Sequence, residues 1–304
     1  MSKILVIGSY NVGLTVILPR IPKPGETIMG TRFDMGPGGK GANQAIAAAR
    51  LGGDVRFMAR LGDDIFGQQA LELFEQEKMD RGLIRTVPGI HSGVGLIFLD
   101  DNAQNAIGVA GGANHCLRVE DIEEASGVFS EIGFLLMQLE TPVPTVLAAA
   151  RKAKESGVMT ILNPAPACPL DDEIFAYVDL LTPNETEAET LTGLPVRNVD
   201  DAVQAGHALR RRGVRQVIVT LGDQGSVLID DQGTFHVPAK TVQAVDTTGA
   251  GDAYNGALVT ALAGKLSINE AMIFATQAAA YSVMHLGVVP GLPKREELER
   301  FKKS

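Results

Sequence analysis

At 304 residues the chain is too long for one small core and fits a large α/β domain, alone or with a small attachment. Hydrophobic residues make up 45% and charged residues 21%, and 27 Lys and Arg against 36 Asp and Glu leave a formal charge of −9. That charge repels phosphate backbones and anionic lipid, so neither nucleic acid nor membrane is an expected partner, and no run reaches the ~20 apolar residues of a membrane span.

Residues 3–7 form a short apolar run, rich in β-branched side chains, that stops at Gly8 and predicts a buried strand. The run is too short for a signal peptide and no cleavage site follows, so the expected location is cytoplasmic. Residues 12–28 carry three prolines and residues 28–35 alternate loosely, which predicts short, partly exposed strands in place of a crossover helix. Residues 42–51 are Ala-rich and run into Gly52 and Gly53, a helix with a glycine stop. A strand over 55–60 and an amphipathic helix over 66–78 follow. Residues 93–99, a turn at Asp100, Asp101 and Asn102, and residues 106–109 read as a hairpin. The two patches of partly exposed strands imply one small sheet standing off the main body.

Residues 132–139 predict a strand ending at Glu140, and 142–154 a helix with proline in its first turn. Residues 158–162, 178–181 and 216–221 are apolar runs of strand length with helical stretches between them. This alternation predicts a doubly wound, mostly parallel α/β sheet with helices on both faces, in a single domain over 1–304. Ligands of such sheets bind beyond the carboxyl ends of the strands, which makes Glu140, Asn163, Asn184 and Gly222 candidates. Cys116 and Cys168 lie far apart without metal-ligand spacing and are expected to be reduced thiols.

The strongest chemical signal is Asp246-Thr247-Thr248-Gly249-Ala250-Gly251-Asp252. A glycine turn there leads into a helix with Tyr254, Ala257, Leu258, Ala261 and Leu262 on one apolar face. Unpaired N–H groups and the helix dipole at such a start form an anion cradle. A carboxylate beside a bound triphosphate makes sense as a proton acceptor for an attacking hydroxyl. The plainer reading is that Asp252 complements the helix dipole, worth ~0.3–1 kcal/mol.

This string resembles the signature of the ribokinase family, also called the phosphofructokinase-B carbohydrate kinases. Gly38-Gly39-Lys40-Gly41-Ala42-Asn43-Gln44-Ala45 is similar to the family's first signature. Met137-Gln138-Leu139-Glu140, Asn163-Pro164-Ala165-Pro166-Ala167, Thr182-Pro183-Asn184-Glu185-Thr186-Glu187 and Val219-Thr220-Leu221-Gly222 follow in the family's order. Gly-Gly-Lys-Gly is not a Walker A loop, since no Gly-Lys-Ser/Thr follows at the needed spacing. Gly8 and Gly13 are wrongly spaced for a dinucleotide fingerprint.

The resemblance implies a carbohydrate kinase that transfers the ATP γ-phosphoryl to a hydroxyl of ribose or a related small sugar. A nucleoside kinase of the same fold and a non-catalytic sugar-binding regulator are the alternatives. It implies that Asn11, Gly39, Lys40, Asn43, Glu140 and Asp252 surround the sugar. Asp252 would be the base, and the N–H groups of Gly249, Ala250 and Gly251 would stabilise the transferring phosphoryl. It assigns Asn184, Thr220, Gly222, Gly225 and Gly251 to ATP, and Asn184 and Glu187 to Mg²⁺ held through waters. Asp246, Thr248 and Gly287 match positions for a monovalent cation, usually K⁺. Strands within 12–36 and 93–110 would form a lid over the sugar that pairs with a second subunit's lid, giving a homodimer. Three positions depart from the family's pattern. Gly13 stands where an Asp would grip sugar hydroxyls, a charged hydrogen bond worth ~1.5–3 kcal/mol. Gly95 is smaller than the pattern implies, and Gly291 stands where Ser is usual. A bulkier or less hydroxylated sugar, or a nucleoside, would fit the roomier pocket.

Overall fold

The computed structural model describes residues 1–100 and 104–302. In chain order its strands are β1 (Ile4–Ile7), β2 (Asn11–Leu18), β3 (Arg32–Gly38), β4 (Val55–Gly62), β5 (Ile84–Val87), β6 (Gly93–Asp100), β7 (Asn105–Ala110), β8 (Phe134–Met137), β9 (Met159–Leu162), β10 (Leu180–Leu181), β11 (Gln216–Thr220), β12 (Ser226–Asp230) and β13 (Gly233–Val237). The α-helices are α1 (Lys40–Arg50), α2 (Ile65–Gln76), α3 (Val119–Glu124), α4 (Val143–Glu155), α5 (Asp172–Phe175), α6 (Glu185–Thr192), α7 (Val199–Arg211), α8 (Ala250–Ala263), α9 (Ile268–Ser282), α10 (Val288–Gly291) and α11 (Arg295–Phe301).

Every residue of β1 is fully buried, because helices cover both faces of the sheet it occupies. Ile4 and Val6 enter the core under α1, α2, α8 and α9, while Leu5 and Ile7 enter the core under α3, α4 and α7. That two-residue alternation between two cores is why the strand reads as a continuous apolar run. The large sheet has the order β13-β12-β11-β10-β9-β8-β1-β4-β5. The strands from β11 to β5 are parallel, and β12 and β13 extend the edge in antiparallel fashion. The chain enters at β1, builds outward through β4 and β5, then returns to β8 on the other side of β1. The topological switch point therefore lies between β1 and β8, where Ile7 pairs with Met137.

The small sheet has the order β3-β2-β6-β7. Its central pair, β2 and β6, is parallel, and β3 and β7 flank it in antiparallel fashion. Asp101 and Asn102, predicted to turn the hairpin between β6 and β7, lie outside the described residues. The doubly wound sheet and the separate small sheet thus agree with the expected fold class.

Some boundaries differ from expectation. The predicted strand over 132–139 narrows to β8, since the Leu139 N–H leaves the ladder and donates to the Ala165 carbonyl. Helix α1 begins at Lys40, two residues early, because Gly39 turns the chain with φ 89°, a conformation only glycine adopts readily. Gly39 also touches the backbone of the β1–β2 connection, where a built Cβ would lie 2.6 Å from the Asn11 nitrogen. No helix among the described residues is long and apolar enough to cross a membrane.

Candidate active site

Small residues let α1 and α8 touch. A Cβ on Gly256 would sit 2.5 Å from the Ala47 Cβ and 2.7 Å from the Gln44 carbonyl oxygen. This close approach brings two neighbouring amide side chains of α1 to one carboxylate of α8. Asn43 Nδ2 donates to Asp252 Oδ2 at 2.8 Å, and Gln44 Nε2 donates to Asp252 Oδ1 at 2.9 Å. Asp252 is 6% exposed. Each of its oxygens keeps a second lone pair for a ligand proton.

Gln44 is itself fixed. Its Nε2 also donates to Asn163 Oδ1 at 3.0 Å, and its Oε1 accepts from Gln138 Nε2 at 2.6 Å. Asn163 Nδ2 then donates to the Thr182 carbonyl. A carboxylate only accepts, so the amide orientations along this chain are dictated from Asp252 outward. The chain ties the ends of β8, β9 and β10 to α1. Asn255 closes a second link, accepting from the Thr182 hydroxyl at 2.7 Å and donating to the Gly251 carbonyl at 2.9 Å.

Helix α8 starts at Gly249, which has φ 80° and lies against Val288 of α10. No side chain caps this helix start. The Ala250 N–H reaches the Thr247 carbonyl at 3.3 Å, while a Cβ built on Gly251 meets no atom within 4 Å. The helix N-terminus thus opens onto free space one turn from Asp252, with the dipole favouring an anion there.

The switch point supplies the other polar groups. Glu140 Oε2 accepts from the Ser9 hydroxyl and, at 2.8 Å, from the Lys40 N–H, which joins the ends of β1 and β8 to the start of α1. Burial alone would push the Lys40 ammonium below its usual value. The carboxylates of Asp252, Glu140 and Glu187 outweigh it and hold Lys40 above that value. Asn43 Oδ1 is buried and has no hydrogen-bond partner among the described residues, which leaves an unused acceptor beside Asp252. Asn11, at the foot of β2, accepts through Oδ1 from Asn114 Nδ2 at 2.8 Å. Asn114 also brackets Tyr10, accepting from its N–H at 2.9 Å and donating to its carbonyl at 3.0 Å. With its oxygen engaged, Asn11 is left with its amide nitrogen as the donor end.

On the far side, Asn184 and Glu187 form a reciprocal capping box at the start of α6. Asn184 N–H donates to Glu187 Oε2 at 2.9 Å, and Glu187 N–H donates to Asn184 Oδ1 at 2.8 Å. Burial pushes the Glu187 carboxyl above its usual range. Asp252 and Glu185 add to that shift, against the Asn184 N–H and the Lys40 charge. Thr220 bridges Asn184, and its N–H donates to the Pro183 carbonyl at 2.9 Å. Gly222 opens the turn between β11 and β12, and Gly225 closes it against the Val237 carbonyl. Asp246 joins two loops. It accepts from the Thr248 N–H at 2.9 Å and the Gly287 N–H at 3.0 Å. Burial works to raise its carboxyl, but these donors and the Thr248 hydroxyl hold it below the usual range.

Asn43, Lys40, Glu140, Glu187 and Asp252 therefore converge, Asn11 and Gly39 adjoin them at the foot of the small sheet, and Asp246, Thr248 and Gly287 form a separate cluster. Gln44 and Asn114 were not singled out from the sequence. Gln44 stands inside the quoted Gly-Gly-Lys-Gly segment, directly after Asn43, and only its neighbours in space give it a role. Nothing around Asn114 in the sequence marked it.

The profile described as pfkB family carbohydrate kinase matches residues 1–295. Ribokinase of Haemophilus influenzae is 41% identical over 297 residues, covering 97% of this chain and 97% of that protein. Deoxyribokinase of Salmonella typhi is 38% identical over 299 residues, covering 98% of each. The structure of Arabidopsis thaliana ribokinase complexed with ribose and ATP superimposes with a TM-score of 0.94 at 32% identity, over 100% of this chain and 99% of that one.

The amide chain makes a thermodynamic demand. Replacing Gln44 by Leu strands Gln138 Nε2 and Asn163 Oδ1 and removes one donor from Asp252. Each buried group left unpaired costs about 1–3 kcal/mol. Urea unfolding of Gln44→Leu should show a loss of at least that size, and an unchanged midpoint would mean that the amides are not coupled.

Proposed function

The chain belongs to the pfkB family of carbohydrate kinases, and on that premise we propose that it phosphorylates ribose or a closely related small sugar, with Asp252 as the proton acceptor. The observation that carries the assignment is the Asp252 carboxylate, buried, held by two amide donors and set one turn inside an uncapped helix start. In this reading the sugar hydroxyl attacks the γ-phosphorus of ATP in line, its proton passes to Asp252, and ADP departs. The N–H groups at Gly249, Ala250 and Gly251, with the α8 dipole, stabilise the charge on the phosphoryl oxygens. Lys40, Asn43, Glu140 and Asn11 orient the sugar, and Gly39 gives it access to backbone.

Asn184, Thr220, Gly222 and Gly225 border the nucleotide in this reading. Among the described residues no three His, Cys, Asp or Glu cluster as a metal cage. Asn184 and Glu187, in a buried and anionic neighbourhood, would hold a Mg²⁺ through its waters. When bound, Mg²⁺ neutralises charge on the phosphates. Asp246, Thr248 and the Gly287 loop would hold a monovalent cation such as K⁺. A cytoplasmic location, with ATP on hand as co-substrate, fits this reading.

The lid role falls to the small sheet, and its outer face supports a homodimer. Leu96 pairs in register with Leu14, which pairs with Met35, and Phe98 pairs with Val16, which pairs with Phe33. Phe33 is 61% exposed and Leu96 52%. Contiguous apolar exposure of this kind marks an interaction surface. Sedimentation of Leu96→Glu should show a monomer where the parent chain is dimeric, and a monomeric parent would remove the proposal.

Asp252→Asn keeps the shape and the packing but cannot take the proton. Coupled ATP turnover with ribose should fall by about 10²–10⁴-fold while ATP still binds. A variant that retains more than roughly a tenth of the parent rate would end the assignment of the base. The same assay should stop when Mg²⁺ is chelated and respond to exchange of K⁺ for Li⁺.

A further inference from the structure

Three glycines stand side by side across the small sheet. Gly13 of β2 pairs with Gly36 of β3 on one side and with Gly95 of β6 on the other. Directly paired residues share a face, and side chains alternate along a strand. This row therefore lies on the face that carries Asn11, one step further from the sheet's foot.

Neither backbone nor packing requires glycine here. Gly13, Gly36 and Gly95 are not among the glycines with positive φ. A Cβ on Gly36 or Gly95 would meet no atom within 4 Å. On Gly13 it would make ordinary contacts at 3.7 Å, with the Gly36 carbonyl and Ile97 Cδ1. The row below behaves differently, since a Cβ on Gly93 would fall 1.9 Å from Asn11 Oδ1. Packing explains Gly93 and leaves the upper row without such a reason. Glycine weakens a strand interior, and one of its established uses there is close approach of a ligand. Gly95 is buried even though its Cβ direction is empty, and Val109 beside it is 58% exposed, so the row borders a hollow open to solvent.

The β6–β7 side of that hollow is apolar. Val109 continues the row next to Gly95, and Ile97 and Ile107 stand in the next row out on the same face. Asp34, on that face at the β3 edge, is exposed and 3.8 Å from Arg32. Thr15 stands between Asp34 and Ile97 in that outer row, so a hydroxyl would find polar partners towards β2 and β3, whereas beside Gly95 apolar bulk would find room.

We propose that the Gly36–Gly13–Gly95 row is a specificity slot for an apolar substituent on the sugar, so that the preferred substrate is larger than a free pentose on the edge that faces the small sheet. The inference rests on the kinase reading above. It adds what distinguishes this chain's substrate, which that reading leaves open between ribose and its relatives.

The test measures kcat/KM in coupled ATP turnover with ribose, 2-C-methylribose, and methyl and phenyl ribosides. The parent chain should prefer at least one substituted sugar over ribose by about tenfold, the scale of a methylene-sized fit in an apolar pocket. Gly13→Val and, independently, Gly95→Val fill the slot with a residue suited to strands. Either should reverse that preference by about tenfold, with melting curves confirming the fold. Ribose preferred over every substituted sugar, or a ranking that neither variant moves, overturns the slot while leaving the kinase assignment in place. Absence of turnover with every sugar overturns both.

Discussion

A carboxylate buried to 6% exposure is tolerable only if hydrogen-bond donors replace its water, and much of this molecule is arranged to supply them to Asp252. The donors are Asn43 and Gln44, adjacent residues at the start of one helix. They reach Asp252 because Gly256 and Ala47 let α1 and α8 meet at backbone distance. Helix α1 is seated in turn by Gly41, whose Cβ would lie 2.4 Å from the Ser9 nitrogen. Glycines at the sheet's switch point thus set the position of a carboxylate on a helix more than two hundred residues further along the chain. The amides of Gln138 and Asn163 extend the same restraint to the ends of β8 and β9.

The electrostatics follow from this geometry. Asp252, Glu140 and Glu187 surround the half-buried Lys40, which stays charged because three carboxylates outweigh its desolvation. The uncapped start of α8 adds partial positive charge where Gly251 opens to solvent. Negative charge therefore gathers around Lys40, and the α8 N-terminus adds positive potential next to Asp252. The large sheet provides this rigid polar floor. The small sheet adds a second wall, whose glycine row lies between Asn11, anchored by Asn114 at the foot, and Thr15 and Ile97 in the next row out.

The sequence was most informative where burial on both faces makes a strand uniformly apolar, as in β1, or where a glycine ends a helix, as at Gly52 after α1. The uncapped start of α8 was legible because glycine, a helix start and an acid fall within one short string. The spacing of Asn184 and Glu187 was equally plain, and the capping box they form shows that the same spacing also serves the helix itself. The antiparallel strands β12 and β13 escaped notice, since the centre of β12, Val227 to Ile229, is as apolar and buried as a parallel core strand and only the short turn at Asp231 and Gln232 marks the reversal. Gln44 and Asn114 escaped because their roles depend on partners up to 208 residues away. Gly13 and Gly95 stood out singly as small. Their alignment with Gly36 became meaningful only through the strand register.

The central claim is that the Asp252 carboxylate faces the hydroxyl that attacks ATP. A crystal structure of the chain with ribose and a non-hydrolysable ATP analogue measures this directly. The acceptor hydroxyl should lie about 2.6–3.2 Å from an Asp252 oxygen, opposite the leaving oxygen across the γ-phosphorus, with Asn43 and Gln44 still bound to the carboxylate. A sugar whose hydroxyls are out of reach of Asp252, with another residue or water beside the attacking oxygen, would contradict it.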